Sequence, residues 1–241
     1  MCFTINLHTT RDAIEKRFNA DASALADFEY RYFYRAFENP RIPVITQEEP
    51  GKIQLLHWGL IPSWTKNAVQ ADSIRRSTYN ARSESIDEKP SFRRSFEKKR
   101  CWVLAKGFFE WQHIGKQKYP WYIQKFNEDI FAFAGIYDQW MSPENEEKRS
   151  TFSIVTTRAN ALMEKIHNTK KRMPVILNPA VEAMWLNENT SPENLKKLLE
   201  PFDDKILKAY TIRRSLSAAD ADPGDERIIE PYEYPIDASL F

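Results

Sequence analysis

Between residues 101 and 156 the chain passes through five apolar and aromatic segments: CWVLA (101–105), GFFEWQ (107–112), YPWYIQK (119–125), IFAFAGIYDQW (130–140) and TFSIVT (151–156). Segments rich in β-branched and aromatic residues and bounded by turn formers are strand signals. The stretches His113-Ile114-Gly115 and Asn127-Glu128-Asp129 are read as turns, and connections this short join antiparallel neighbours. This run makes a β-rich fold the first expectation.

The flanking sequence adds further strands and several helices. Residues 3–8, YRYFYRAF (30–37), PVIT (43–46), KIQLLHWGL (52–60), MPVIL (173–177) and LKAYTIRR (207–214) are read as strands. Thr10 can cap a helix carrying Ala13, Ile14 and Phe18 on one face, and Ser91 to Lys99 can form another. Thr157 is expected to cap a helix ending at Ile166. Asn178-Pro179 and Ser191-Pro192 are cap-then-proline helix starts. Residues 63–90 show little periodicity and read as a long ordered loop, a type that is usually functional. The expected fold is a single α+β domain, mostly antiparallel strands curled toward a barrel with peripheral helices. It spans 2–220, with 221–241 as a C-terminal strap or tail of the same domain.

Composition narrows the class. A chain of 241 residues with 42% hydrophobic and 29% charged content can bury a core. It has no apolar run of membrane length, and MCFTINLHTTRD lacks a signal-peptide core, so a cytoplasmic monomer is expected. The two cysteines, Cys2 and Cys101, allow one bridge at most, and no Cys or His pair has the spacing of a metal site. No metal or cofactor is expected. The net charge of +1 is neutral on nucleic acid, whereas local clusters such as Arg75-Arg76, Arg93-Arg94 and Lys170-Lys171-Arg172 suit either a solvated face or a phosphate backbone.

Five stretches could carry chemistry. Cys2 follows the initiator methionine, and aminopeptidases that trim Met1 accept small second residues. Without Met1, Cys2 offers an amine with pKa of about 7.7–8.0 and a thiol of about 8.5, both partly nucleophilic near neutral pH. Such a 1,2-aminothiol condenses with an aldehyde through an imine to a five-membered thiazolidine. In WGLIPSW (58–64), Trp58, Ile61, Pro62 and Trp64 are core strand and corner, or a wedge that stacks on bases. In YNARSES (79–85), Asn80 is a turn former or a functional amide, beside Arg82. In GFFEW, Glu110 stands among aromatics. It faces solvent if the strand alternates, or lies buried with a raised pKa and serves as a general acid or base. In KIHNTKKRMPVIL (165–177), His167 is structural or a proton shuttle.

Taken together and in this order, Met1-Cys2, PVIT, WGLIPSW, NARSES, GFFEW, TFSIVTTRAN (151–160) and His167 with RMPVIL resemble the SOS-response-associated peptidase (SRAP) family, the abasic-site-processing proteins. The resemblance spans nearly the whole chain. It implies a processed Cys2 that forms a thiazolidine with the ring-opened aldehyde of an abasic site in single-stranded DNA, shielding the lesion. It also implies autoproteolytic removal of the residue before Cys2, with lyase or crosslink-reversing activity in some members. On the matching motifs, Cys2 is the nucleophile, Asn80 a hydrogen-bonding partner near the reacting amine or sugar, and Glu110 and His167 handle protons. Arg82 would meet a flanking phosphate, Thr156 or Thr157 would donate hydroxyls to the same backbone, and Trp58, Ile61, Pro62 or Trp64 would stack.

Three positions depart from the family pattern. Phe3-Thr4 replace a usual Gly-Arg, and Cys101-Trp102-Val103-Leu104 lacks a usual proline. Four residues, Asn168 to Lys171, separate His167 from Arg172 where one is usual, which leaves open whether Arg172 contacts DNA. Two other classes remain: a cysteine peptidase acting on proteins, with Cys2 as acyl nucleophile and His167 as base, and a non-covalent single-stranded DNA-binding protein.

Overall fold

The computed structural model of the chain describes residues 2–127 and 129–235. The expected loss of Met1 and the end of the expected tail, 236–241, lie outside the described residues. The first quarter of the chain forms β1 (Thr4–Asn6), α1 (Arg11–Phe18), β2 (Tyr34–Arg35), β3 (Arg41–Thr46) and β4 (Ile53–Trp58). Next come α2 (Ala68–Arg75), β5 (Asn80–Arg82) and α3 (Arg93–Lys98). The aromatic run supplies β6 (Arg100–Ala105), β7 (Gly107–Ile114), β8 (Gln117–Lys125), β9 (Phe131–Met141) and β10 (Lys148–Arg158). The remainder forms α4 (Ala161–Ile166), β11 (Arg172–Pro174), α5 (Pro179–Leu186), α6 (Pro192–Lys197) and β12 (Leu207–Thr211).

Strands β10, β4, β3, β6 and β9 pair in that order, and β9 returns to β10, closing a five-stranded barrel. All five pairings are antiparallel except β4 against β10. Closure removes the exposed edges that so apolar a set of strands would otherwise present. The interior is filled by side chains such as Val44, Leu56, Val103, Phe133 and Phe152, all buried. This is the α+β, mostly antiparallel, barrel-forming domain that the alternation predicts. β10 runs on past the ring: β4 pairs with it at Thr151 and Phe152, then β5 at Ile154 to Thr156, and β11 at Thr156 to Arg158. The NAR and RMP segments thus meet on one overhanging strand.

A second sheet, ordered β12-β8-β7-β1-β2, is antiparallel throughout. The segment after β12 crosses one face of it in two short 3-10 turns, Arg214–Ser217 and Glu226–Ile229. Beneath them lies a small separate core of Phe33, Phe109, Tyr122, Ile212, Leu216 and Ile228. β7 is therefore covered on both faces over its first half. Phe109 points toward this small core, while Phe108 belongs to the main one. Glu110 alternates onto the side of Phe108 and is 4% exposed, which settles the open question of its orientation.

Several local expectations need correction. The stretch 63–90 is not a bare loop, because Asn67 caps α2 through Gln70 N, and β5 and a 3-10 turn at Ser83–Ser85 follow. Thr157 lies in β10, and α4 starts at its own cap, Asn160, whose side chain accepts from Met163 N. The aromatic stretch 30–37 contributes only Tyr34–Arg35 as strand. The caps at Thr10, Asn178 and Ser191 all form as the residue types dictate.

Candidate functional site

The N-terminus is held inside the second sheet. Ile5 pairs with Phe108 on one side and Tyr34 on the other, so β1 is an inner strand. Cys2 immediately precedes it. Its thiol is fully buried and donates to the Thr4 carbonyl at 3.7 Å. Burial, reinforced by the nearby Glu110 carboxylate, pushes the Cys2 thiol well above its ordinary range. In this form of the chain the thiol is therefore protonated at neutral pH, contrary to the partial thiolate that a reference value implies.

Asn80 reaches Cys2 from the barrel side. Its position is fixed by β5, where Asn80 pairs with Ile154 of β10. Its Nδ2 donates to the Cys2 carbonyl at 2.9 Å. Since a carbonyl can only accept, this bond sets the amide orientation and leaves Oδ1 as an acceptor. That Oδ1 is buried and has no hydrogen-bond partner among the described residues.

Glu110 and His167 come together from opposite ends of the sequence. His167 closes α4, its N–H donating to the Met163 carbonyl at 2.7 Å. Its Nδ1 lies 2.9 Å from the Arg172 carbonyl, so Nδ1 carries the proton and Nε2 is the basic nitrogen of the neutral ring. Nδ1 is 3.8 Å from Glu110 Oε1, close but too long for a hydrogen bond. Burial lifts the Glu110 carboxyl to about 7 and carries His167 down to about 4. Near neutral pH the glutamate is thus the titrating group of this pair, and the histidine is a neutral ring.

Both side chains line an open groove of about 570 Å³. Arg35, Lys118 and Lys170 stand around it, and Phe3 and Phe37 form an aromatic shelf with ring centroids 5.1 Å apart. Phe37 is 64% exposed. Reading the chain by motif passes over Phe37, Arg35 and Lys118, because nothing in YRYFYRAF or the β7–β8 turn marks which residues face the groove. Lys170 lies in the four-residue loop between His167 and Arg172. The loop is tied to β7 by Asn168, which accepts from His113 N at 3.0 Å and donates to His113 O at 2.7 Å.

Other predicted residues sit differently. Trp58, Ile61 and Pro62 are buried and cannot stack on bases from these positions. The Trp58 indole donates to Tyr79 O at 2.9 Å, and Ile61 N donates to Thr151 Oγ1 at 2.8 Å, so WGLIPSW braces the barrel end. Only Trp64 is exposed. Arg172 is likewise no phosphate contact. Its guanidinium grips Glu84 at 2.6 and 3.0 Å and the Thr156 carbonyl at 2.6 Å, tying the 3-10 turn after β5 to β10 and β11. The Thr156 hydroxyl is buried between Arg172 and Ala81 O, while Thr157 borders a shallow neighbouring groove with Arg158 and Lys196. Arg82 is exposed at the end of β5. Both cysteines are free and buried.

The family described as SOS response associated peptidase (SRAP) matches residues 1–219. The chain belongs to the SRAP family. Among its relatives, "Abasic site processing protein YoqW" of Bacillus subtilis is 39% identical over 215 residues, covering 88% of this chain and 92% of that protein. "Abasic site processing protein YoaM" of the same organism is 37% identical over 215 residues, covering 88% and 91%. A crystal structure of a protein from Bacteroides thetaiotaomicron superposes with a TM-score of 0.91 at 39% identity, covering 96% of this chain and all of that one. The SRAP match stops at 219, so the Glu226–Ile229 turn lies beyond it. Among the described residues, no helix is long and apolar enough to cross a membrane, and no cluster of three or more His, Cys, Asp or Glu could hold a metal.

Proposed function

We propose that this SRAP protein captures abasic sites in single-stranded DNA through Cys2 once Met1 is gone. The carrying observation is the convergence of Cys2, Asn80, Glu110 and His167, with Glu110 at a pKa of about 7. The names of its relatives point to the same lesion. The Cys2 amine attacks the aldehyde carbon of the opened sugar, and loss of water gives an imine. The thiol then adds to the imine carbon, closing the thiazolidine, and the sulfur proton ends on the ring nitrogen. Glu110 supplies the proton for water departure and recovers one from the iminium nitrogen as the neutral imine forms. Asn80 Oδ1 accepts from the new amine, and neutral His167 hydrogen-bonds the opened sugar. Arg82 and Lys170 meet phosphates, and Trp64 and Phe37 are the exposed rings available for stacking.

Reversal of the crosslink would use the same groups run backward, and lyase activity would branch from the imine, where a base removes the C2 proton and the 3′ phosphate leaves. Loss of Met1 is either autoproteolytic or the work of an aminopeptidase. Cys2→Ala separates the two, since alanine is also a small second residue: intact mass showing retained Met1 supports autoproteolysis, and trimmed Met1 shows that an aminopeptidase suffices. A cysteine peptidase acting on other proteins is the weaker reading, because such a nucleophile needs a lowered thiol pKa and burial raises this one.

The test uses protein of verified N-terminal mass, incubated with single-stranded DNA carrying one abasic site and run on a denaturing gel. A shifted band lost in Cys2→Ala is expected. No shift, or one indifferent to Cys2→Ala, overturns the proposal, and lesion-independent binding alone would leave a non-covalent DNA-binding protein.

A further inference from the structure

A second site lies on the opposite face of the five-stranded sheet. Asn6 pairs with Gly107, and Gly107 and Phe109 share the face of β7 turned away from Glu110. There a cavity of about 240 Å³ is lined by Asn6, His8, Tyr32 and Lys106 among others. It is a built feature. The His8 and Tyr32 rings stack at 3.9 Å, nearly parallel at 13°. Tyr32 N is held by Pro223 O at 2.8 Å, and Lys106 N by Asn6 O at 2.8 Å.

Asn6 is the residue that asks for a ligand. It is 1% exposed, and its Oδ1 accepts from His8 N at 3.0 Å, which fixes the amide orientation. Its Nδ2 is left buried, with no hydrogen-bond partner among the described residues. A buried amide donor without a partner is costly and calls for an acceptor. Beside it, Lys106 supplies a positive charge: burial first, then the Lys106 ammonium, lowers the His8 pKa. Glu226 acts on His8 in the opposite sense.

We infer that this cavity binds a phosphate group, with Asn6 Nδ2 and Lys106 as its donors. The buried Asn6 donor needs an acceptor, and the Lys106 ammonium at the same cavity favours an anionic one. A tetrahedral phosphate presents more acceptor oxygens to donors approaching from different strands than a planar carboxylate does. The same chemistry is offered by a free phosphate or phosphomonoester and by a phosphodiester of a DNA strand passing around the sheet edge.

The test follows the Asn6 side-chain amide and the His8 ring by NMR in the full chain. Inorganic phosphate and lesion-free single-stranded oligonucleotide are titrated separately at constant ionic strength. Saturable shifts are expected, weakened about tenfold or more by Asn6→Asp, which keeps the acceptor for His8 N, and by Lys106→Gln. Glu226→Gln should tighten binding, and Cys2→Ala should leave it unchanged. Response to phosphate identifies a small-molecule site, and response to oligonucleotide alone identifies a strand contact. Absence of saturable shifts with both probes, or shifts that Asn6→Asp and Lys106→Gln leave intact, overturns the inference.

Discussion

Glu110→Gln tests the buried acid most directly. Burial lifts its carboxyl from 4.5 to about 7, so between those values the folded chain holds a proton that the unfolded chain has lost. The stability tied to Glu110 is complete below pH 4.5 and falls as pH rises toward the folded value. Each pH unit is worth about 1.36 kcal/mol, which makes the loss about 3 kcal/mol. His167 has the opposite sign. Its ring is carried down from 6.5 to about 4, so across that window the unfolded chain holds the extra proton and stability rises with pH. The two slopes oppose each other, and wild type should show little net dependence from this pair. Glutamine keeps the shape and removes the titration. Relative to wild type, the variant should gain about 3 kcal/mol between pH 4.5 and 7, exposing the rise that belongs to His167. Urea unfolding at stepped pH, on proteins matched for N-terminal mass, reads the difference. A constant difference across that range would mean that Glu110 titrates normally, and its role as proton carrier would fall. Capture of an abasic site should slow by about 10²–10⁴-fold in the same variant.

Asn80→Ala removes the 2.9 Å bond to the Cys2 carbonyl and leaves that carbonyl buried, so about 1–3 kcal/mol of stability should be lost together with crosslinking rate. Chemical denaturation and a crosslinking time course measure the two effects. Gly59→Ala places a Cβ at φ +118°, 2.5 Å from Arg75 Cγ and 3.0 Å from the Arg75 carbonyl oxygen; a loss of about 1–3 kcal/mol from backbone strain alone is expected in thermal melts. Trp58→Ala and Trp64→Ala should separate cleanly. The first empties a core position and costs about 3–5 kcal/mol, while the second leaves stability within about 0.5 kcal/mol and weakens single-stranded DNA binding by about 1–3 kcal/mol if a base stacks there.

The barrel was legible because its strands announce themselves. In the run from Cys101 to Thr156, aromatic and β-branched residues sit between turn formers, and short connections leave antiparallel pairing as the natural outcome. Parallel entry of β4 and β5 against β10 was not legible, since those pairings join segments about 75 to 95 residues apart and depend on tertiary closure. The site was legible by motif and not by role. WGLIPSW reads as an aromatic wedge in one dimension, yet Trp58 and Ile61 spend their hydrogen-bonding groups on the barrel end. An exposed aromatic such as Phe37 carries no local signature, because its exposure follows from the 3-10 turn that Ala36–Glu38 forms beyond β2.

The reassigned roles of His167 and Arg172 belong together. The His167 ring is neutral across the neutral range and its tautomer is dictated by the Arg172 carbonyl. That carbonyl is held in place because the Arg172 side chain locks Glu84 and Thr156 around the β10 overhang. The same overhang positions Asn80, which holds the Cys2 backbone. Arg172 therefore holds the local geometry behind both His167 and Asn80. The loop after His167 changes what approaches the groove, by adding Lys170 at its wall, while leaving this clamp intact. Of the buried pair, Glu110 is the group that titrates near neutral pH, and burial, reinforced by its carboxylate, keeps the Cys2 thiol of the unprocessed chain protonated. In the proposed capture, a thiol held protonated in this way adds second, once the amine has formed the imine.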